Sequence, residues 1–201
     1  MSQVHKKPVV FLFNGPPGSG KDAAVRALSQ YNDISPLTAS GKFSGPIKQA
    51  LMATFWHLDL YNMTTEQKSM PVEILGGHSW REAQIYYSEK FMKPCFGEDI
   101  FGKLLLEKID HESDYFELQA YFVSDSGFVS EAMPIIRAGY EVHVVQITRP
   151  GCTFEGDSRS YIEPPGTKMF LIANDGTLEE FERKVITYVE QVLSDHDNSG
   201  T

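Results

Sequence analysis

Cysteine is scarce in this 201-residue chain: there are two, Cys95 and Cys152. They form neither a metal-ligand spacing nor a disulfide framework, and they fit a reducing cytoplasm. Positive charge is also short, with 18 Lys plus Arg against 27 Asp plus Glu and a formal charge of −9. A chain of that sign is a poor partner for nucleic acid or an anionic membrane, although a local basic cleft can still take a small anion. No run approaches the roughly 18 apolar residues of a membrane helix. The run Val9 to Phe13, behind Lys6 and Lys7, is too short for a secretory core. It ends in Asn14-Gly15-Pro16-Pro17 rather than in a small-residue cleavage site. Internal repeats and low-complexity blocks are missing. The six histidines are scattered without ligand spacing, and His57, His78 and His143 read as structural.

What is present is ordinary globular composition, 41% hydrophobic and 22% charged, in a length that suits one domain. Four short apolar runs predict strands: Val9–Phe13, read as fully buried, then Gln119–Ser124, Glu141–Thr148 and Met169–Ala173. A fifth strand is expected around Ser35–Thr38. Two capping boxes predict helix starts. Ser79-Trp80-Arg81-Glu82 opens a helix toward Phe91, and Thr177-Leu178-Glu179-Glu180 opens one whose Leu178, Phe181, Val185, Val189 and Val192 share a face. Residues 1–7 and 194–201 are polar and expected to be loose. Strands alternating with helices imply an α/β fold, a parallel sheet covered on both sides with ligands at the carboxyl ends of its strands.

Directly after the first strand stands Gly15-Pro16-Pro17-Gly18-Ser19-Gly20-Lys21-Asp22, which contains the pattern G-x-x-x-x-G-K and leads into an Ala-rich helical stretch. Glycines let successive N–H groups curl around phosphate oxygens, the helix N-terminus adds partial positive charge, and Lys21 can reach the β- and γ-phosphates. A bare strand-to-helix turn is the plainer reading of the same residues. The usual Ser or Thr after the lysine is Asp22 here, either a Mg²⁺ ligand or a helix cap. Asp125, after Tyr121-Phe122-Val123-Ser124, stands where a second metal-site acid would. It also fits a simple turn in Ser124-Asp125-Ser126-Gly127.

Four segments in order resemble the deoxynucleoside monophosphate kinases of bacteriophages, a branch of the P-loop nucleoside monophosphate kinases. They are Gly18-Ser19-Gly20-Lys21-Asp22; Ser44-Gly45-Pro46-Ile47-Lys48-Gln49-Ala50-Leu51; the valine-rich run ending in Arg149-Pro150-Gly151; and Ile172-Ala173-Asn174-Asp175-Gly176-Thr177-Leu178-Glu179-Glu180. The chain departs from the pattern at Asp125-Ser126-Gly127, where an Asp-Thr-Arg is usual, and at Arg159, where a His is common.

The resemblance implies a three-layer P-loop kinase fold of about five parallel strands. A monophosphate-binding insertion would span about 40–112 and a mobile lid about 150–167. It implies transfer of the γ-phosphoryl of ATP, with Mg²⁺, to a deoxynucleoside 5′-monophosphate. Gly15, Gly18, Ser19, Gly20, Lys21, Asp22, Asn174 and Asp175 would bind ATP. Asp22 and Asp125 would organise the metal. Lys48, Trp80 and Arg81 would hold the acceptor, and Lys21, Asp125, Arg149 and Arg159 would act on the transferring group. For Lys48 a solvated helix position, for Trp80 the core, and for the two arginines ordinary surface ion pairs are the competing assignments. The location would be the cytoplasm, the host's if the chain is viral, and a homodimer stays open. The rival functions are a P-loop kinase for another acceptor (a small phosphorylated metabolite or a hydroxymethylated base in DNA) and a nucleotide-binding module without transfer.

Overall fold

The computed structural model describes residues 6–198 except Asn32, Ser35 and Pro36. Five strands, β1 (Val9–Asn14), β2 (Thr38–Gly41), β3 (Ala120–Ser126), β4 (Val142–Thr148) and β5 (Lys168–Ala173), form one parallel sheet in the order β2-β3-β1-β4-β5. The central strand β1 is buried along its whole length. Successive side chains of a strand face opposite ways, so β1 divides its apolar residues between two cores. Val10 and Leu12 face one, with Trp80, Phe101, Leu105 and Ile135; Val9, Phe11 and Phe13 face the other, with Leu28, Phe181, Val185 and Val189. The α/β expectation therefore holds, with helices on both faces of a five-stranded parallel sheet.

Helix α1 (Lys21–Gln30) and helix α8 (Leu178–Asn198) cover the second core. The other face carries everything between β2 and β3: α2 (Gly45–Thr54), α3 (Thr65–Ser69), α4 (Trp80–Tyr86), α5 (Lys93–Phe96) and α6 (Ile100–Tyr115). Helix α7 (Val129–Arg137) joins them after β3. Both sequence-predicted capping boxes form. Ser79 N–H donates to Glu82 at 2.8 Å and Glu82 N–H to Ser79 Oγ at 3.2 Å, while Thr177 N–H donates to Glu180 at 2.9 Å and Glu180 N–H to Thr177 Oγ1 at 3.2 Å.

Three boundaries differ from expectation. The edge strand β2 lies at Thr38–Gly41, later than Ser35–Thr38, and Ser35 and Pro36 fall outside the described residues. The helix from Ser79 does not run unbroken to Phe91: after Tyr86 it widens into a π turn over Tyr87–Met92 and then resumes as α5. Helix α8 continues through Ser194 to Asn198, because Val189, Val192 and Leu193 still pack on the core at its end.

A second polar knot lies at the amino ends of the strands, far along β4 from the loop that follows β1. Glu141 accepts from Lys168 Nζ at 2.6 Å and pairs with His143 Nε2 and His196 Nδ1, each at 2.9 Å. His143 is buried and its other ring nitrogen meets the Tyr188 hydroxyl at 2.7 Å. This bears out the structural reading of His143.

Candidate active site

The loop between β1 and α1 wraps closely on itself. Gly15 has no room for a side chain: a Cβ there would stand 2.6 Å from the Ile147 carbonyl oxygen. Gly20 caps α1 in a left-handed conformation, φ 114°, and no side chain bonds the first N–H groups of the helix. Those groups remain available to an anion. Lys21 folds back over the loop, and its Nζ donates to the carbonyls of Gly15 at 2.5 Å and Pro16 at 2.7 Å. Burial, with the Arg159 guanidinium nearby, pushes the Lys21 ammonium down to about 8. Ser19 is fully buried, and its hydroxyl has no partner among the described residues. Asn174 clamps the loop from behind, its side-chain amide donating to Ser19 O at 2.8 Å and its own N–H to Thr148 O at 2.8 Å.

Asp125 sits on a bulge. Leu12 pairs with Val123 but Asn14 with Ser126, so β3 carries one extra residue against β1 over Ser124 and Asp125. A bulge re-aims side chains at a sheet end. Here Ser124 Oγ turns to donate to Asp22 Oδ1 at 2.9 Å. Asp125 accepts from Phe43 N–H at 2.9 Å, Ser44 N–H at 3.0 Å and Ser44 Oγ at 2.7 Å. Asp125 thus fixes the loop leading into α2. Lys42 Nζ meets Asp22 Oδ1 at 2.6 Å; partial desolvation works against the Asp22 carboxylate, but Lys42, Ser124 and Lys21 together hold the group below the usual range.

Arg159 joins this cluster from the loop after β4. Its Nε and Nη2 grip the two oxygens of Asp157, and its aliphatic stem lies against Gly127, where a Cβ would come within 2.5 Å of it. The bidentate pair holds Asp157 down to about 2 against the effect of its burial. Arg81 approaches the same carboxylate at 3.9 Å, so Asp157 links the insertion to the expected lid. The expected lid at 150–167 is only partly free. Asn14 accepts from Ile162 N–H at 3.0 Å and donates to Ser160 O at 3.0 Å, which stitches 160–162 to the end of β1.

The other sequence-predicted residues are placed differently. Arg149 is exposed and donates from Nη1 to Gly18 O at 3.0 Å, a backbone carbonyl of the phosphate loop. Trp80 is 7% exposed, meets Phe55 edge-on at 5.0 Å and belongs to the core on that face of the sheet. Lys48 stands over the Tyr61 ring at 5.3 Å, and burial together with Lys42 lowers its basicity. Asp175 is tied to Lys184 at 3.0 Å in solvent. Sequence reasoning missed Lys42, Lys93, Ser124, Glu131 and Asp157. An acid two residues before Arg159 was the one signal available for Asp157; the others become site residues only through long-range contacts.

The donor set fits a hydrated divalent cation. The Asp22 side chain is 74% exposed, and Lys42 and Ser124 both bond Oδ1, which leaves Oδ2 open among the described residues. Hard oxygen donors of this kind suit Mg²⁺, which keeps most of its water. No cluster of three or more His, Cys, Asp or Glu able to cage a metal occurs among the described residues.

No protein-family profile and no curated protein sequence matches the chain. Solved structures do. An unliganded sugar kinase from Janibacter sp. HTCC2649 is 13% identical with a TM-score of 0.51, over 92% of this chain and 95% of that one. The APS kinase of Mycobacterium tuberculosis in complex with AMPPNP and APS is 14% identical with a TM-score of 0.48, over 92% and 98%. The shikimate kinase of Aquifex aeolicus is 13% identical with a TM-score of 0.38, over 90% and 96%. The chain has the P-loop kinase fold. Among the described residues no helix is long and apolar enough to cross a membrane.

Proposed function

We propose that this protein is an ATP-dependent phosphotransferase that phosphorylates a deoxynucleoside 5′-monophosphate. One observation carries the phosphotransferase reading: a buried Lys21 bonded to loop carbonyls feels the charge of Arg159, which Asp157 holds in a fixed orientation. A triphosphate would replace the carbonyls as the partner of Lys21, with the loop and α1 N–H groups around its oxygens. Asn174 keeps that loop in shape. Arg159 would neutralise charge on the transferring group and Arg81 would bind the acceptor's phosphate. Asp22, with Asp125 behind it, would hold Mg²⁺, which supplies charge neutralisation on the phosphate oxygens. An acceptor phosphate is already a competent nucleophile, so positioning and electrostatics suffice.

The deoxynucleotide acceptor rests on the ordered resemblance of four segments, from the phosphate loop to Asn174-Asp175-Gly176-Thr177-Leu178-Glu179-Glu180. A second reading, a hydroxyl acceptor, draws on the shared fold with the Janibacter sugar kinase. A coupled ADP-release assay separates them. It would run the four deoxynucleoside monophosphates, the ribonucleotides and a panel of small sugars and sugar acids. Turnover of a deoxynucleotide at the highest kcat/KM supports the proposal; preference for a sugar hydroxyl overturns it.

A further inference from the structure

The two edges of the sheet are unlike each other. Strand β2 is a short polar edge, and its Ser40 carbonyl is covered by Lys108 Nζ at 3.3 Å and by the Tyr121 hydroxyl at 3.4 Å. Strand β5 closes the other side, and among the described residues no strand lies beyond it. It pairs with β4 in unbroken register and contains no proline. Its one charged residue, Lys168, is turned to Glu141 at 2.6 Å. The usual guards of an edge, a free charge, a proline or a bulge, are therefore missing from Met169 to Ile172. Consecutive apolar side chains stand in solvent there: Met169 is 42% exposed, Phe170 39% and Leu171 61%.

The ladder shows which backbone groups are open. Asn174 N–H donates to Thr148 O, toward β4. Backbone groups of a strand alternate in direction, so those of Phe170 and Ile172 also turn to β4, and those of Met169, Leu171 and Ala173 turn outward. Lys184 Nζ caps the outward Ala173 carbonyl at 2.9 Å. Met169 and Leu171 are left beside an open groove of about 720 Å³ between β5 and α8, lined by Phe170, Leu171, Arg183, Lys184, Tyr188 and Gln191.

We infer that a second copy of this chain occupies this edge, its β5 antiparallel to the first about a two-fold axis at Phe170. The cap on Ala173 sets that register. Met169 exchanges backbone bonds with the partner's Leu171, and Leu171 with the partner's Met169. Phe170 meets the partner's Phe170 as a non-hydrogen-bonded pair, the closer kind. On that face each Phe170 already stacks on Tyr188, with centroids 3.7 Å apart. On the opposite face Met169 covers the partner's Leu171. The interface is isologous, as a two-fold requires. Charge agrees, although the whole chain is at −9. Helix α8 runs antiparallel to β5, since Lys184 lies at Ala173 while His196 and Lys168 share Glu141. The axis thus sets the two α8 helices in opposite directions. Arg183 and Lys184 fall toward the carboxyl half of the partner helix, where Asp195 continues the stripe of Gln191. Cations are favoured at that end of a helix. Glu180, on the same wall, is engaged by Thr177 N–H at 2.9 Å. None of this depends on which acceptor is phosphorylated.

The test is sedimentation of the purified full-length protein from micromolar to near-millimolar concentration, with circular dichroism as the check on folding. The wild type should sediment at twice the 22.6 kDa of one chain. Leu171→Lys brings an ammonium to the pairing twice and should raise the dimer dissociation constant about 100-fold. With Cys95→Ser and Cys152→Ser as background, Phe170→Cys should form an intersubunit disulfide on mild oxidation, because its two copies face each other at about 4.5 Å between Cα atoms. Leu171→Cys, two positions out of register with its own copy, should not. A wild type that stays monomeric overturns the inference, and so does a dimer or larger assembly that folded Leu171→Lys leaves intact. A disulfide at Leu171→Cys without one at Phe170→Cys also overturns it, whether or not Leu171→Lys folds. No kinase assay enters these readouts, so the phosphotransferase reading stands or falls separately.

Discussion

Asp157 holds Arg159 at two points, Nε to Oδ1 at 2.9 Å and Nη2 to Oδ2 at 2.5 Å, and the same Oδ2 lies 3.9 Å from Arg81. Two guanidiniums from different parts of the chain thus share one nearly buried carboxylate. That fixes their separation before any substrate arrives, and orientation set in advance lowers a barrier that would otherwise be met during reaction.

Removing that carboxylate should therefore cost turnover more than binding. Asp157→Asn is expected to lower kcat about 10- to 100-fold with the KM for ATP little changed. Arg149→Ala should do the reverse and weaken ATP, because Arg149 braces the Gly18 carbonyl of the phosphate loop. Steady-state kinetics on both variants check the contrast. Equal effects on both parameters in both proteins would remove the distinction between the two residues.

Lys21→Ala should leave the fold intact by circular dichroism and reduce transfer by roughly 10³- to 10⁵-fold, the range for a cation on a transferring phosphoryl group. The pH dependence has a definite sign. With Lys21 titrating at about 8 in the free protein, the ammonium is present below that pH and lost above it. A bound triphosphate favours the charged form, so binding takes up a proton and the KM for ATP should rise above pH 8, with kcat flat. Lys21→Arg, which stays charged, should abolish the rise. A KM for ATP that is constant from pH 7 to 9.5 in the wild type would contradict this.

Asp22 is expected to act on Mg²⁺ as well as on Lys42. Asp22→Ala should raise the Mg²⁺ concentration needed for half-maximal activity, while Asp22→Ser retains part of the wild-type behaviour. Calorimetry of ADP binding with and without Mg²⁺ gives a readout independent of turnover. If the metal strengthens ADP binding equally in all three proteins, Asp22 serves only to anchor Lys42 and Ser124.

Stability toward acid should depend on Glu141. Burial opposes its ionisation, but Lys168, His143 and His196 together bring it down to about 2. A carboxylate depressed in the folded state stabilises the protein above its unfolded value and loses that contribution as pH falls toward 2. Glu141→Gln should destabilise by about 1–3 kcal/mol at pH 7, since it leaves buried His143 with a poorer partner. A domain of this size loses about 2–4 °C of Tm per kcal/mol. The variant's deficit should shrink as pH falls below the unfolded carboxylate value toward 2, because the unfolded wild type then takes up a proton that the folded protein does not. Thermal melts at pH 7 and pH 3 test both points.

Residues with local signatures were legible in the sequence. The central strands announce themselves through continuous apolar runs, because a strand buried on both faces must be apolar on both. Capping boxes and the phosphate loop are equally local, since three or four consecutive residues make the bonds. Strand β2 is legible only in part: the sequence places it around Ser35–Thr38, and its actual residues Thr38-Ala39-Ser40-Gly41 are a partly exposed edge with no apolar alternation to fix the bounds. The bulge at Ser124 and Asp125 exists only relative to β1, and the carboxylate of Asp157 gains its meaning from Arg81, 76 positions earlier in the chain. Trp80 went the other way: its neighbours suggested an acceptor contact, and the hydrophobic core claimed it. Glu131 carries no motif at all, and only its burial singles it out.

The π turn at Tyr87–Met92 has a consequence for direction as well as for length. An α-helix advances about 100° per residue, so one residue added to a single turn rotates everything downstream by about that angle. Lys93 follows the turn immediately, and its inward aim over Phe128 depends on that rotation. Loss of any one codon within 87–92 would let the segment close into regular α-helix. The chain would be shorter by a single residue, yet the ammonium would swing to another side of the cylinder and leave Phe128 uncovered. The spacing between Trp80 and Lys93 is in effect an angular setting, and a deletion in this segment should act as strongly as replacing Lys93 itself.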